Sequence, residues 1–399
     1  KEYVMSRMIG TVVRGLRAPI IKQNDDMVKI VCDTVIEASK EGGYTINDRD
    51  IVTITESVVA RAQGNYANVN NIASDVKDKL NSDTVGIIFP ILSRNRFSLI
   101  LKGIALGVKK VIIMLSYPSD EVGNHFITYD ELDKNNINPW KDEFDEKKFR
   151  ELFENPVHEF TGVDYIKFYK DIVKEAGADC EIVFANDPKS ILKYTKNVIN
   201  CDIHTRKRTK RILLENGGEK VFSLDDILTS SVDGSGYSEY GLLGSNKATE
   251  DTLKLFPRNS QDLVEKIQAK LKELTGKNLE VMVYGDGAFK DPVGKIWELA
   301  DPVVSPGFTS GLSGTPSEIK LKYVADNEFA DLKGEELKNA VVDYIKHKES
   351  DLVGKMVSEG TTPRQLTDLL GSLSDLTSGS GDKGTPIVYI QGYFDNYTN

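Results

Sequence analysis

The sequence predicts an α/β protein built from more than one compact unit, and three observations carry that expectation. The chain has 399 residues, beyond the roughly 100 to 200 of a usual single domain. From about 93 to 220, helix-like and strand-like segments alternate, as they do where crossover helices join parallel strands. On either side the texture differs, with glycine-rich segments at 233–244 and 305–316.

The elements follow in order. DDMVKIVCDTVIEASKEGG at 25–43 spaces its apolar residues helically, has glycines at its end, and offers Asp25 or Asp26 as N-cap. DRDIVTIT (48–55) and VGIIFPIL (85–92) are short β-branched runs of buried-strand type. FSLILKGIALG, KKVIIML, YIKFYKDIVKEAG, CEIVFA, KSILKYTKN and VINCDIH then supply the alternation. Between them 116–162 reads as a loop-rich excursion with Pro118, Asn124, Asn135, Asn136, Pro139 and Pro156. Helices are expected near 260–275 and 335–347 and a strand at 280–285, EVMVYG. The tail from 350 holds an amphipathic helix, RQLTDLLGSLSDL, a linker-like SGSGDKG and a strand-like TPIVYIQGYF.

Composition narrows the function. A net charge of -10 and a pI near 5.2 argue against a nucleic-acid or anionic-membrane surface, which needs clustered Lys and Arg. The one basic run, HTRKRTKR at 204–211, reads as a solvated helix face. Cys32, Cys180 and Cys201 have no CxxC spacing, so neither a disulfide framework nor a zinc site is expected, and a reducing cytoplasm fits. No apolar run reaches the roughly 18 residues of a membrane span.

Familiar catalytic motifs fail. GAFKDPVGK (287–295) follows its Lys with Ile296 rather than a hydroxyl, so it is no P-loop. DGSGYSEYG (233–241) misses dinucleotide-binding spacing, and no GxSxG elbow accompanies the four histidines. Two aspartates remain: Asp233 in SSVDGSG, and Asp286, where the strand EVMVYG runs into an acid flanked by glycines. Such an acid suits a hard cation bridging to phosphate oxygens, but from composition alone the turn-tightening role is the favoured one.

DRDIVTITESVVARAQGNY (48–66) resembles the N-terminal signature of the coenzyme F-420 γ-glutamyl ligases, with Arg61 in place of the family's Lys and Gln63 in place of its Glu. GLRAPIIKQNDDMVKIV (15–31) and LKLFPRNSQDLVEKIQAKLKELTGKNLEVMVYGDGAFKDPVG (253–294) are similar to further family blocks. The resemblance implies a core at 1–92 and 221–349 interrupted by an inserted α/β domain at 93–220, followed by the tail at 350–399, and a homodimer. It implies a soluble ligase that uses GTP and a divalent metal, Mg or Mn, to join L-glutamate to a carboxylate acceptor through an acyl phosphate. On the matching positions Asp233 and Asp286 would hold the metal. Ser57, Gly64, Gly234, Ser235 and Gly287 would meet the nucleotide, and Arg61 and Lys290 would stabilise charge in transfer. Arg94 and Arg96 are further candidates for a polyanionic substrate. Gly287 stands where the family has a metal-contacting Thr. Two other readings stay open: another acceptor, such as a folate-like pterin, and a non-catalytic nucleotide- or metabolite-binding relative.

Overall fold

Two sheets organise the chain in a computed structural model that describes residues 7–154, 156–158, 161–285, 288–290, 297–299, 305–361, 364–378 and 382–398. The first sheet has five strands in the order Val12–Leu16, Ile387–Gln391, Ile51–Thr55, Glu280–Tyr284, Gly307–Phe308. Only Ile51–Thr55 and Glu280–Tyr284 run parallel. Alternation along these strands feeds two apolar layers. Val52, Ile54, Val281 and Val283 pack with Val31 and Val35 of the helix Met27–Gly42 and with Val264, Ile267 and Leu271 of the helix Ser260–Thr275. Ile51, Met282, Val388 and Ile390 face the other way, toward Leu366 and Leu370 of the helix Leu366–Ser378. Asp26 caps the first helix by accepting from Lys29 N, and Gly43 ends it at φ 62°.

The tail is therefore part of this sheet. Ile387–Gln391 hydrogen-bonds antiparallel to Val12–Leu16 on one side and to Ile51–Thr55 on the other.

The second sheet has six strands in the order Phe144–Asp145, Asp179–Phe184, Lys110–Leu115, Thr84–Ile88, Asn197–Asn200, Lys220–Ser223. All but the two-residue first strand are parallel, as the alternating texture predicts. Thr84–Ile88 pairs only into this second sheet, with Lys110–Leu115 and Asn197–Asn200. The core at 1–92 that the resemblance implies includes this run, and local character does not separate the two, because a buried β-branched strand looks alike in either sheet. The excursion at 116–162 holds two short helices, Tyr129–Lys134 and Glu146–Leu152. Thr128 and Glu131 form a capping box on the first, and Asp145 caps the second.

A small third sheet is formed by three strands, Asn246–Lys247, Thr252–Lys254 and Tyr66–Asn68. Its central strand pairs Lys254 with Tyr66 on one side and with Asn246 on the other. No helix among the described residues is long and apolar enough to cross a membrane.

Candidate active site

The two parallel strands of the five-stranded sheet end together, Thr55 opposite Tyr284. Ile51–Thr55 passes directly into the helix Glu56–Ala62, which carries Ser57 and Arg61. Both line a cleft of about 530 Å³ with Lys22, Tyr66, Asn246, Lys247 and Lys254. Four cationic side chains thus line one concavity of a chain whose net charge is -10; two of them are paired, with Glu56 and Glu250, and the remaining positive excess favours anions.

Each wall has a local cause. Arg61 donates from Nε to the Ile21 carbonyl at 2.7 Å, and Asn24 N donates to Ala62 O, so the 21–24 loop is held against the helix end. Gly64 sits at φ 59° beneath that loop, where a Cβ would lie 2.3 Å from the Gln23 amide. Gln63 donates to Arg258 O at 2.7 Å and accepts from Arg258 N at 2.9 Å. A carboxylate could not make the first of these bonds, which is a physical reason for an amide here. Buried Asn65 donates to Phe256 O and accepts from Tyr237 N and from the Arg258 guanidinium.

The floor is an ion pair. Lys254 Nζ lies 3.0 Å from Glu56 Oε1, with side-chain exposures of 9% and 6%, and donates to Ser57 Oγ at 2.8 Å. Burial of such a pair is tolerated because the charges meet at hydrogen-bond distance. Lys247 pairs at the rim with exposed Glu250 at 2.9 Å.

The loop with Asp233 docks beside this region through Gly236, whose N donates to Tyr66 O at 2.7 Å and which has no room for a Cβ: Asn65 Oδ1 would lie 2.4 Å away. Asp233 is exposed at φ 49° and Gly234 follows at φ 78°. Ser235 spends its hydroxyl inside the turn, accepting from Val232 N and donating to Gly236 O. Asp286 and Gly287 lie outside the described residues, and so does the side chain of Lys290, whose backbone belongs to the strand Ala288–Lys290. Among the described residues no group of three or more His, Cys, Asp or Glu is placed to hold a metal ion. Asp233 offers one exposed carboxylate, and a hard cation needs several oxygen ligands.

Arg94 and Arg96 do not line the cleft, although the carbonyl of Asn95 between them accepts from Lys247 N at 3.2 Å. Arg94 bears on Tyr165, and Arg96 lines a small space beside Cys201 and Leu243. Sequence reasoning missed Lys22, Lys247 and Lys254. The available signal was the single Lys inside the otherwise apolar run LKLF at 253–256, since a charge at a strand position flanked by buried leucines needs a partner.

Comparison with known proteins points to one family. The chain is similar to "Coenzyme F420:L-glutamate ligase" of Methanocaldococcus jannaschii, with 24% identity over 160 residues, 39% of this chain and 49% of that protein. It therefore matches about half the length of that relative. The F420-0:Gamma-glutamyl ligase family matches residues 15–392, a span that includes the strand Ile387–Gln391. With the match running through almost the whole chain, the protein belongs to the F420-0:Gamma-glutamyl ligase family.

Proposed function

We propose that the protein joins the amino group of L-glutamate to a carboxylate of an F-420-like acceptor, with GTP as phosphoryl donor. The observation that carries the reading is the cationic cleft, in which Ser57 and Arg61, both marked by the sequence, stand with Lys22, Lys247 and Lys254. The acceptor carboxylate oxygen takes the terminal phosphoryl group as its bond to the β-phosphate breaks, giving an acyl phosphate and GDP. The glutamate amine, having lost a proton, attacks the acyl carbon; an amide forms and phosphate leaves. Transfer of this kind needs positioning and charge neutralisation more than covalent help. Arg61 and Lys290 are the proposed charges toward the transferred group, and Ser57, Gly64, Gly234, Ser235 and Gly287 the proposed nucleotide contacts. A divalent Mg or Mn bound by Asp233 and Asp286 would neutralise phosphate oxygens. The homodimer belongs to the same proposal and is checked by sedimentation at micromolar concentration.

The test measures GDP release with L-glutamate, GTP, manganese and an F-420-like acceptor, each omitted in turn. Release that needs all components, and falls at least tenfold in Arg61→Ala, is the expected result. Nucleotide binding without turnover on any acceptor overturns the ligase reading and favours the binding relative, which the engagement of Gln63 as an amide clamp also suits.

A further inference from the structure

Lys254 occupies the middle of a row. In the three-stranded sheet it pairs directly with Tyr66 and with Asn246, and all three side chains line the same cleft. The neighbouring positions Leu253 and Ala67 turn the other way, into the apolar core, as alternation requires. Phenol, ammonium and carboxamide therefore present one polar face to the cleft, on a short sheet that fixes their spacing. The ammonium is the only formal charge in that row.

An ammonium has three N–H groups. Two are directed at Glu56 Oε1 and Ser57 Oγ. Both acceptors belong to the helix Glu56–Ala62, so that helix aims Lys254 rather than leaving its four-carbon stem free. A lysine held in this way presents a fixed cation, with no reorganisation needed when a ligand arrives.

We infer that Lys254 donates its remaining N–H to an anionic oxygen of the ligand in the cleft, with Tyr66 and Asn246 completing the row and Glu56 acting as its positioning residue. The ligand class is a polyanion, either the phosphate chain of a nucleotide or the carboxylates of an acidic acceptor. This deepens the ligase reading and rests on it for the choice between those two sources.

The experiment titrates tripolyphosphate, and separately γ-glutamylglutamate, into the full chain at fixed ionic strength by calorimetry. Three proteins are compared: wild type, Asn246→Asp, and the double variant Glu56→Gln/Lys254→Gln, which removes the pair without leaving one charge buried. Asn246→Asp keeps the pair and sets an anion beside Lys254, so it decides the matter even if the double variant does not fold. A loss of about tenfold or more in affinity is expected in each variant, the size of one charge-assisted hydrogen bond. Loss confined to tripolyphosphate identifies a phosphate ligand, and loss confined to the dipeptide identifies the acceptor; either supports the assignment. Equal affinity of Asn246→Asp and wild type for both probes, or no binding of either probe by wild type, overturns it and leaves Lys254 with Glu56 as a structural pair. GDP release is measured in parallel, so the ligase reading stands or falls separately.

Discussion

The five-stranded and six-stranded sheets both bring parallel strands to a common carboxyl edge, and what stands at those edges differs. In the six-stranded sheet the chain runs outward from Thr84–Ile88 to one side and then resumes on the other at Asn197–Asn200. In doubly wound sheets ligands usually sit outside the strand ends at such a reversal. Here the protein fills the place itself. Glu121 accepts from Ile203 N at 2.5 Å and from His204 N at 3.0 Å, and it lies 2.9 Å from His204 Nδ1. Ile91, Cys201, Ile203, Leu242 and Leu243 line a residual space of about 30 Å³, room for a water or two. The edge beside Thr55 and Tyr284 opens instead on about 530 Å³ lined by four cations. Topology alone favours the six-stranded edge, whereas the side chains favour the other.

The sharpest way to break this comparison is to remove packing from the filled edge. Leu243→Ala at a position only 2% exposed should cost about 2–5 kcal/mol, whereas Arg61→Ala at the open edge should cost less than about 1 kcal/mol. Chemical denaturation of both variants reads the difference, and equal losses would mean that the first edge is not packed as described. A middle-sized effect concerns Glu121, whose carboxyl is pushed up from 4.5 chiefly by burial, with Asp202 pushing the same way and the amides and ring of the 203–204 segment pulling down. The folded state then holds the proton more tightly than the unfolded chain. Stability from this group is present below about 4.5 and is lost as pH rises through the higher folded value. The stability of wild type minus that of Glu121→Gln should therefore fall with pH above that point, by at most about 1.4 kcal/mol per pH unit. A flat or rising difference would refute the buried setting. The smallest effect is at Gln63. Restoring the family's Glu should destabilise by about 1–2 kcal/mol, because the Arg258 carbonyl loses its donor. Unchanged stability in Gln63→Glu would show that the clamp contributes nothing.

Much of the fold was legible because local periodicity makes it so. The helices near 25–43 and 260–275 and the parallel strands after 100 could be read from side-chain spacing alone. Sheet membership could not. Thr84–Ile88 has the same buried, β-branched character as Ile51–Thr55, and nothing local says which neighbours it pairs with. At the site, Ser57 and Arg61 were reachable through a resemblance of short blocks. Lys247 was not, since it belongs to a two-residue strand without a motif, and Lys254 could be marked only as a charge in need of a partner, because its meeting with Tyr66 depends on a sheet formed across distant parts of the chain.

The strand Ile387–Gln391 carries one more consequence, for the order in which the molecule can assemble. It lies between two strands near the other end of the sequence, and Tyr389 hydrogen-bonds through its hydroxyl to Asp50, 339 residues away. During synthesis on a ribosome, Val12–Leu16 and Ile51–Thr55 emerge long before the strand Ile387–Gln391 that joins them. Through that interval each exposes unpaired backbone groups, which invite pairing with another chain. The six-stranded sheet has no such delay, because all its strands fall between 84 and 223 and it can close while the rest is still being made. Ribosome-bound intermediates should thus hold a finished second sheet beside an unfinished first one, and chaperone demand should peak just before residue 387 emerges.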